Sequence, residues 1–167
     1  MYDWIVSDTH FGHRNIIALE PHHRPFATIE EHDEELVARW NARVGPTDRV
    51  LHLGDVFFGQ GWRHLDRLNG VKDLVRGNHD HYPRERYVAF RSFTASVMLR
   101  HGVIATHLPI VMEDDSRWTV NMHGHHHSRG PLSPRHLNVS LEHTDLAPLH
   151  MTVLQQRVRD LPTRHPL

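Results

Sequence analysis

Three short β-rich runs in the first half of the chain, Tyr2–Val6, Arg49–Leu53 and Val71–Arg76, each break on a polar turn. The turns are Ser7-Asp8, Gly54-Asp55 and Gly77-Asn78-His79-Asp80. Helical signals fill the intervals. Thr28-Ile29-Glu30-Glu31 has the capping-box pattern, and Leu36, Val37, Trp40 and Val44 recur at helical spacing. That spacing predicts a helix over residues 29 to 43, closed by Gly45-Pro46. Trp62, Leu65 and Leu68 mark a shorter helix that stops at Asn69-Gly70. Strand alternating with helix restricts the chain to α/β units with mostly parallel pairing.

The second half is richer in strands. Phe93–Leu99 and Val103–Thr106 flank Arg100-His101-Gly102 at hairpin-like spacing, and Trp118–Met122 and His136–Val139 follow. Met151–Arg159 fits a helix or a strand equally well. A length of 167 residues corresponds to one domain over residues 1–167, with two sheets or one long mixed sheet.

Composition narrows the chemistry. The chain has no cysteine, which removes disulfides, thiolate metal sites and thiol nucleophiles together. Lys+Arg is 19 against Asp+Glu 20, so bulk charge draws the chain to neither nucleic acid nor membrane. Lys72 is the one lysine among those 19 cations, a bias that a GC-rich genome explains without any function. No apolar run approaches the length of a membrane span, and Met1–Val6 lacks a basic region leading into an apolar stretch. The expectation is a soluble cytoplasmic protein. The 19 histidines are the anomaly, because neutral imidazole is the commonest metal ligand among side chains.

Several of those histidines stand where strands end. Asp8-Thr9-His10 puts a carboxylate and an imidazole past one strand, and Gly54-Asp55 adds a carboxylate past the next. Gly77-Asn78-His79-Asp80 adds an amide oxygen, an imidazole and another carboxylate. His107 ends a fourth run, and His125-His126-His127 follow Gly124 after a fifth. Singly, each piece reads as turn chemistry, since Asp, Asn and Gly all favour turns. Five in succession, each at a strand end, call for a common cause, because open α/β sheets bind ligands beyond the carboxyl ends of their strands.

In that order the pieces resemble the calcineurin-like metallophosphoesterases, whose pattern is D-x-H, G-D, G-N-H-[DE], H and G-H-x-H. Every element is present: Asp8 and His10, Asp55, Asn78 with His79 and Asp80, His107, and His125 with His127. The likeness runs from about residue 4 to 140. Ser7–His13, His52–Asp55, Thr106–Pro109 and Asn138–Ser140 are closest to a small bacterial and phage-type single-domain branch. His126 leaves open which neighbouring imidazoles take the two ligand places.

The resemblance implies an α/β fold of four layers, α/β/β/α, with two mixed sheets flanked by helices. It also implies two divalent ions at the strand ends. Asp8, His10, Asp55 and His127 would hold one, and Asp55, Asn78, His107 and His125 the other, with Asp55 bridging. Nitrogen and oxygen ligands without sulfur suit manganese, the expected ion, with iron, zinc or nickel as alternatives. A bridging hydroxide would attack phosphorus in line. His79 would act as general acid and transition-state stabiliser, with Asp80 orienting its ring, and His13 and Arg14 would border the substrate.

The expected substrate is a phosphate ester, and a phosphodiester of nucleic-acid or cyclic-nucleotide type is preferred because the chain leaves little length for a cap over the site. A phosphomonoesterase with the same metals is the alternative, and a non-catalytic metal-binding scaffold or a histidine-rich metal buffer lies further off. No membrane or obligate protein partner is implied. Arg24, Arg84, Arg86, Arg117 and Arg129 fall in loops that could border the crevice, although each reads first as a solvated charge. His22, His23, His32, His64, His101, His136, His143, His150 and His165 read as surface or loop residues, while His52 and His123 could support ligands.

Overall fold

A computed structural model describes residues 1–113 and 117–160, so the surface position expected for His165 lies outside the described residues. The parallel pattern of the first half forms one sheet of five strands. β1 (Trp4–Val6), β2 (Arg49–His52), β3 (Val71–Val75) and β4 (Phe90–Thr94) pair in parallel, and β9 (Leu149–His150) closes the far edge antiparallel to β1. The second sheet runs β5 (Ser96–Leu99), β6 (Val103–Thr106), β7 (Val120–His123), β8 (His136–Asn138). Its first pair is the expected hairpin and the rest is parallel. Both sheets are therefore mixed, as the resemblance implied.

Phe93–Leu99 is not one strand. The run breaks at Ala95, so that β4 finishes the first sheet and β5 opens the second. Alternation along the strands explains the layers. Ile5, Leu51, Val75, Val103, Ala105, Val120 and Met122 share one buried cluster, the seam where the two sheets meet. Val6, Val50 and Leu74 point the other way, into a cluster with Leu36, Val37 and Trp40 of the long helix. Residues Ile104, Asn121 and His136 face away from the seam, where the Ile110 amide donates to Asn121 Oδ1 and His136 Nε2 donates to the Ile110 carbonyl.

The helices are α1 (Asn15–Leu19), α2 (Ile29–Arg43) and α3 (Met151–Arg159), the last settling the ambiguous tail. α2 has the predicted bounds, and Thr28 Oγ1 caps it by accepting from the Glu31 amide. Trp62 and Leu65 fall in a 3-10 helix, Gly61–Arg67. α1 escapes a reading from sequence because it is a single turn whose first flanking residue, Arg14, makes no side-chain capping bond. None of the helices is long and apolar enough to cross a membrane among the described residues.

Three histidine and arginine expectations are corrected. His32 is wholly buried rather than on the surface, because it lies on the inward stripe of α2 with Ile29, Asp33, Leu36, Val37 and Trp40. His136 is buried between Ser133 Oγ and the Ile110 carbonyl. Arg24 is 0 % exposed, not a solvated charge.

Candidate metal centre

Parallel pairing carries the polar turns to one place. β1 and β2 lie in register with Val6 opposite His52, so the chain leaves both strands side by side. Three backbone bonds continue the pairing past the strands: Leu53 N to Val6 O at 2.8 Å, Asp8 N to Gly54 O at 3.0 Å and His10 N to Asp55 O at 3.1 Å. The second sheet arrives from the opposite side. The Gly124 amide donates to the His107 carbonyl, the His125 amide donates to Asp8 Oδ2, and Ser7 bridges to Ser140 beyond β8. Carboxyl ends of strands from both sheets thus converge on one crevice.

The convergence is tight enough to strain the backbone. Asp8, His10, Asp55, His125 and His127 all adopt left-handed conformations, with φ between 47° and 66°. Non-glycine residues rarely adopt that region, and such strain persists where a site demands it. Gly124 is required here for another reason, since a Cβ on it would collide with Ser7 Oγ and Asp8 Oδ2.

Two donor groups result. Asp8, His10 and His127 bring one ligand atom each within 4.8 Å of one another, and Asp55, His107 and His125 do the same. His10 Nε2 lies 3.8 Å from Asp8 Oδ1 and 3.7 Å from Asp55 Oδ2, while His107 Nε2 lies 3.4 Å from Asp55 Oδ2 and 2.9 Å from Asn78 Oδ1. Asp55 Oδ2 therefore stands between the two groups. Asp8 Oδ1 and His10 Nε2 are buried and have no hydrogen-bond partner. Buried polar atoms are rarely left unpaired, and donors held about 2.1 Å from one ion stand roughly 3–4 Å apart. The orphaned atoms and their spacing fit a cation, and the nitrogen and oxygen donors fit borderline divalent metals.

Each ring is oriented from behind. His107 Nδ1 donates to the Leu53 carbonyl at 2.7 Å, His127 Nδ1 donates to Glu142 Oε1 at 3.0 Å, and His10 Nδ1 is hydrogen-bonded to His13 Nδ1 at 3.0 Å. All three arrangements turn Nε2 into the crevice, the outer support that metal-binding imidazoles need. His13 also stacks on Phe58, with ring centres 4.0 Å apart. His52, buried, donates from Nε2 to Thr9 Oγ1 and accepts the Gly54 amide at Nδ1, so it braces both carboxylate loops. His126 belongs to neither donor group and packs its ring against His123.

Burial opposes ionisation of Asp8 and Asp55, but contacts with His10 and His107 respectively outweigh it and hold both carboxyls below their ordinary range. For His107, burial favours the neutral ring, yet the Asp55 bond and the Asp8 charge raise its pKa. His127 is raised in the same way, against burial, by Glu142 and Asp8. Glu142 itself is pushed up by burial and pulled down further by the Arg24 charge and the His127 bond, to about 2.

Three expectations fare differently. His79 stands at the mouth, its side chain 44 % exposed, with Nε2 3.9 Å from Asp55 Oδ2. Asp80 does not orient that ring. Its carboxylate accepts the amides of Asp55, Val56 and Gly77, so it fixes the loops carrying Asp55 and Asn78 instead. Arg14 is exposed at the start of α1. Glu142, Ser140 and Arg24 also support the metal ligands, and no spacing in the sequence marks them. Ser140 meets Asp8 across 132 residues and Arg24 meets Glu142 across 118, while the shorter links of Arg24 to Asp8 and of Glu142 to His127 follow no periodic or motif spacing.

The profile of the calcineurin-like phosphoesterases matches residues 4–161. An uncharacterized protein of Methanocaldococcus jannaschii is 30% identical, over 90% of this chain and 88% of its own length. The gene 66 protein of Mycobacterium phage L5 is 27% identical, over 95% and 92%. A protein of unknown function from Aquifex aeolicus shares the fold, with a TM-score of 0.72 and 23% identity over 92% of this chain and 97% of that one.

Proposed function

Because the chain belongs to the calcineurin-like phosphoesterase family, we propose that it hydrolyses phosphodiesters with two divalent ions, manganese in the first instance. The observation that carries this reading is Asp55 Oδ2, which faces His10 Nε2 of one donor group and His107 Nε2 of the other. Asp8, His10 and His127 would hold one ion, Asn78, His107 and His125 the second, and Asp55 both. When bound, the ions would neutralise phosphate charge and make water nucleophilic near neutral pH.

His79 serves as the general acid. Its amide donates to Asp55 Oδ1 at 2.9 Å, which ties its half-exposed ring to the bridging carboxylate. One phosphorus–oxygen ester bond breaks as the bond from the water oxygen forms, His79 gives its proton to the departing oxygen, and the proton that water loses passes to solvent. Such proton transfer contributes about 10²–10⁴-fold. A diester is favoured over a monoester because Arg24, the arginine packed against Asp8, spends its guanidinium on internal acceptors and offers none to a terminal dianion. Nucleic-acid ends and cyclic nucleotides are the substrates that an open mouth of this kind admits.

The test is hydrolysis of bis-p-nitrophenyl phosphate by chelator-stripped protein, with manganese added back, beside p-nitrophenyl phosphate and an Asp55→Asn variant. Manganese-dependent turnover of the diester that Asp55→Asn abolishes supports the reading. Preference for the monoester would assign the alternative activity, and inertness toward both with every divalent ion would overturn catalysis.

A further inference from the structure

We propose that Arg24 is a positioning residue for the ion group of Asp8, His10 and His127, a role that rests on the two-ion reading above. Its guanidinium reaches three separate supports of that group. Nη2 donates to the Asp8 carbonyl at 2.6 Å, Nη1 to the Thr9 carbonyl at 3.2 Å, and Nε to Glu142 Oε1 at 2.8 Å. Glu142 Oε1 is the same atom that accepts from His127 Nδ1. One planar cation therefore holds the backbone on which Asp8 and His10 stand and, through Glu142, the ring of His127.

The network also returns to the loop from its other end. Arg24 Nη1 donates to His32 Nε2 at 2.9 Å, His32 Nδ1 donates to Asp33 Oδ1 at 2.8 Å, and Asp33 Oδ2 accepts the Gly12 amide at 2.8 Å. The segment from Asp8 to Gly12, left-handed at Asp8 and His10, is clamped at both ends. Arg24 and Glu142 side chains are both 0 % exposed. A buried ion pair adds little net stability, because desolvation offsets the attraction. What this pair supplies is geometry. Lysine would not replace it, since only a guanidinium presents forked donors in a fixed plane.

Manganese(II) titration with electron paramagnetic resonance tests the role directly, with no substrate present. Arg24→Met and Glu142→Gln should each weaken one of two ions about 10–100-fold, the usual cost of losing an outer partner of a ligand, and leave the other in place. The exchange-coupled signal of two neighbouring ions should give way to the six-line spectrum of an isolated one. Arg24→Lys should recover only part of the loss. Glu142→Gln keeps Arg24 and carries the test if Arg24→Met does not fold. Equal loading of the wild type and the variants, or equal weakening of both ions in step with a lower Tm, would overturn the proposal. Wild-type protein that binds fewer than two ions would count instead against the two-ion reading.

Discussion

Ser140 Oγ lies 2.9 Å from Asp8 Oδ2, joining the loop after β8 to the loop after β1 across 132 residues of chain. The bond ties one sheet to the other directly beneath the donor groups. The same hydroxyl lies 2.7 Å from Asn138 Oδ1, so its one proton is shared between two acceptors. Hydrogen bonds to charged groups contribute about 1.5–3 kcal/mol, so Ser140→Ala should lower the unfolding free energy of the metal-free protein by at most about that much. Urea unfolding measures it. No change in midpoint would mean that the hydroxyl spends its proton on Asn138 Oδ1 and that the His125 amide satisfies Asp8 Oδ2.

His79→Ala should retain both ions and lose turnover by roughly 10²–10⁴-fold. Its imidazole stands 3.9 Å from Asp55 Oδ2 and outside both donor groups. Metal analysis after dialysis, set beside kcat on a diester, separates the two effects. A variant that loses ion content along with turnover would make His79 a ligand instead.

Metal binding should tighten with pH beyond the ordinary histidine range. His107 and His127 both have raised pKa values, so their protons compete with a cation to higher pH than free imidazole would. Manganese titrations at pH 6.5 and pH 8 should show release of protons on binding and the tighter affinity at the higher pH. Affinity that does not change between them would show that neither ring titrates against the ion.

His52 sets an acid limit on the fold. Burial lowers its pKa to about 3. In the unfolded chain it titrates near the ordinary value, so between that value and about 3 the unfolded state alone takes up the proton. Stability is therefore complete above the ordinary histidine range and falls as pH drops through this window, by about 1.4 kcal/mol per pH unit for one group. Between pH 7 and pH 5, His52→Asn should remove about 2 kcal/mol of the wild-type decline. Paired urea titrations of the metal-free proteins test this, and parallel declines would assign the acid sensitivity to other residues.

The donor atoms were legible because chemistry and punctuation coincide. Asp8, Asp55, Asn78 and His107 are the first metal-competent residues after β-rich runs, and parallel pairing does the rest. Their supports were not legible. Arg24 and Glu142 meet across 118 residues, and nothing in a loop arginine announces an internal partner. Asp80 shows a subtler limit: its adjacency to His79 invites an orienting role, but backbone direction sends the carboxylate to three amides. His32 could have been placed, since it sits on the inward period of α2. The division of residues 93–99 between two sheets could not, because a break at one alanine leaves the hydrophobic pattern intact.

Each donor group draws on both halves of the chain, Asp8 and His10 with His127, and Asp55 with His107 and His125. A nascent polypeptide whose second half is still inside the ribosome lacks His107, His125 and His127, so neither donor group is complete. Both groups are therefore completed only by tertiary assembly, and the non-local pairings they wait for are slow to form. A cut anywhere between the two halves that let them separate would dismantle both groups together. A truncated product would hold neither group complete.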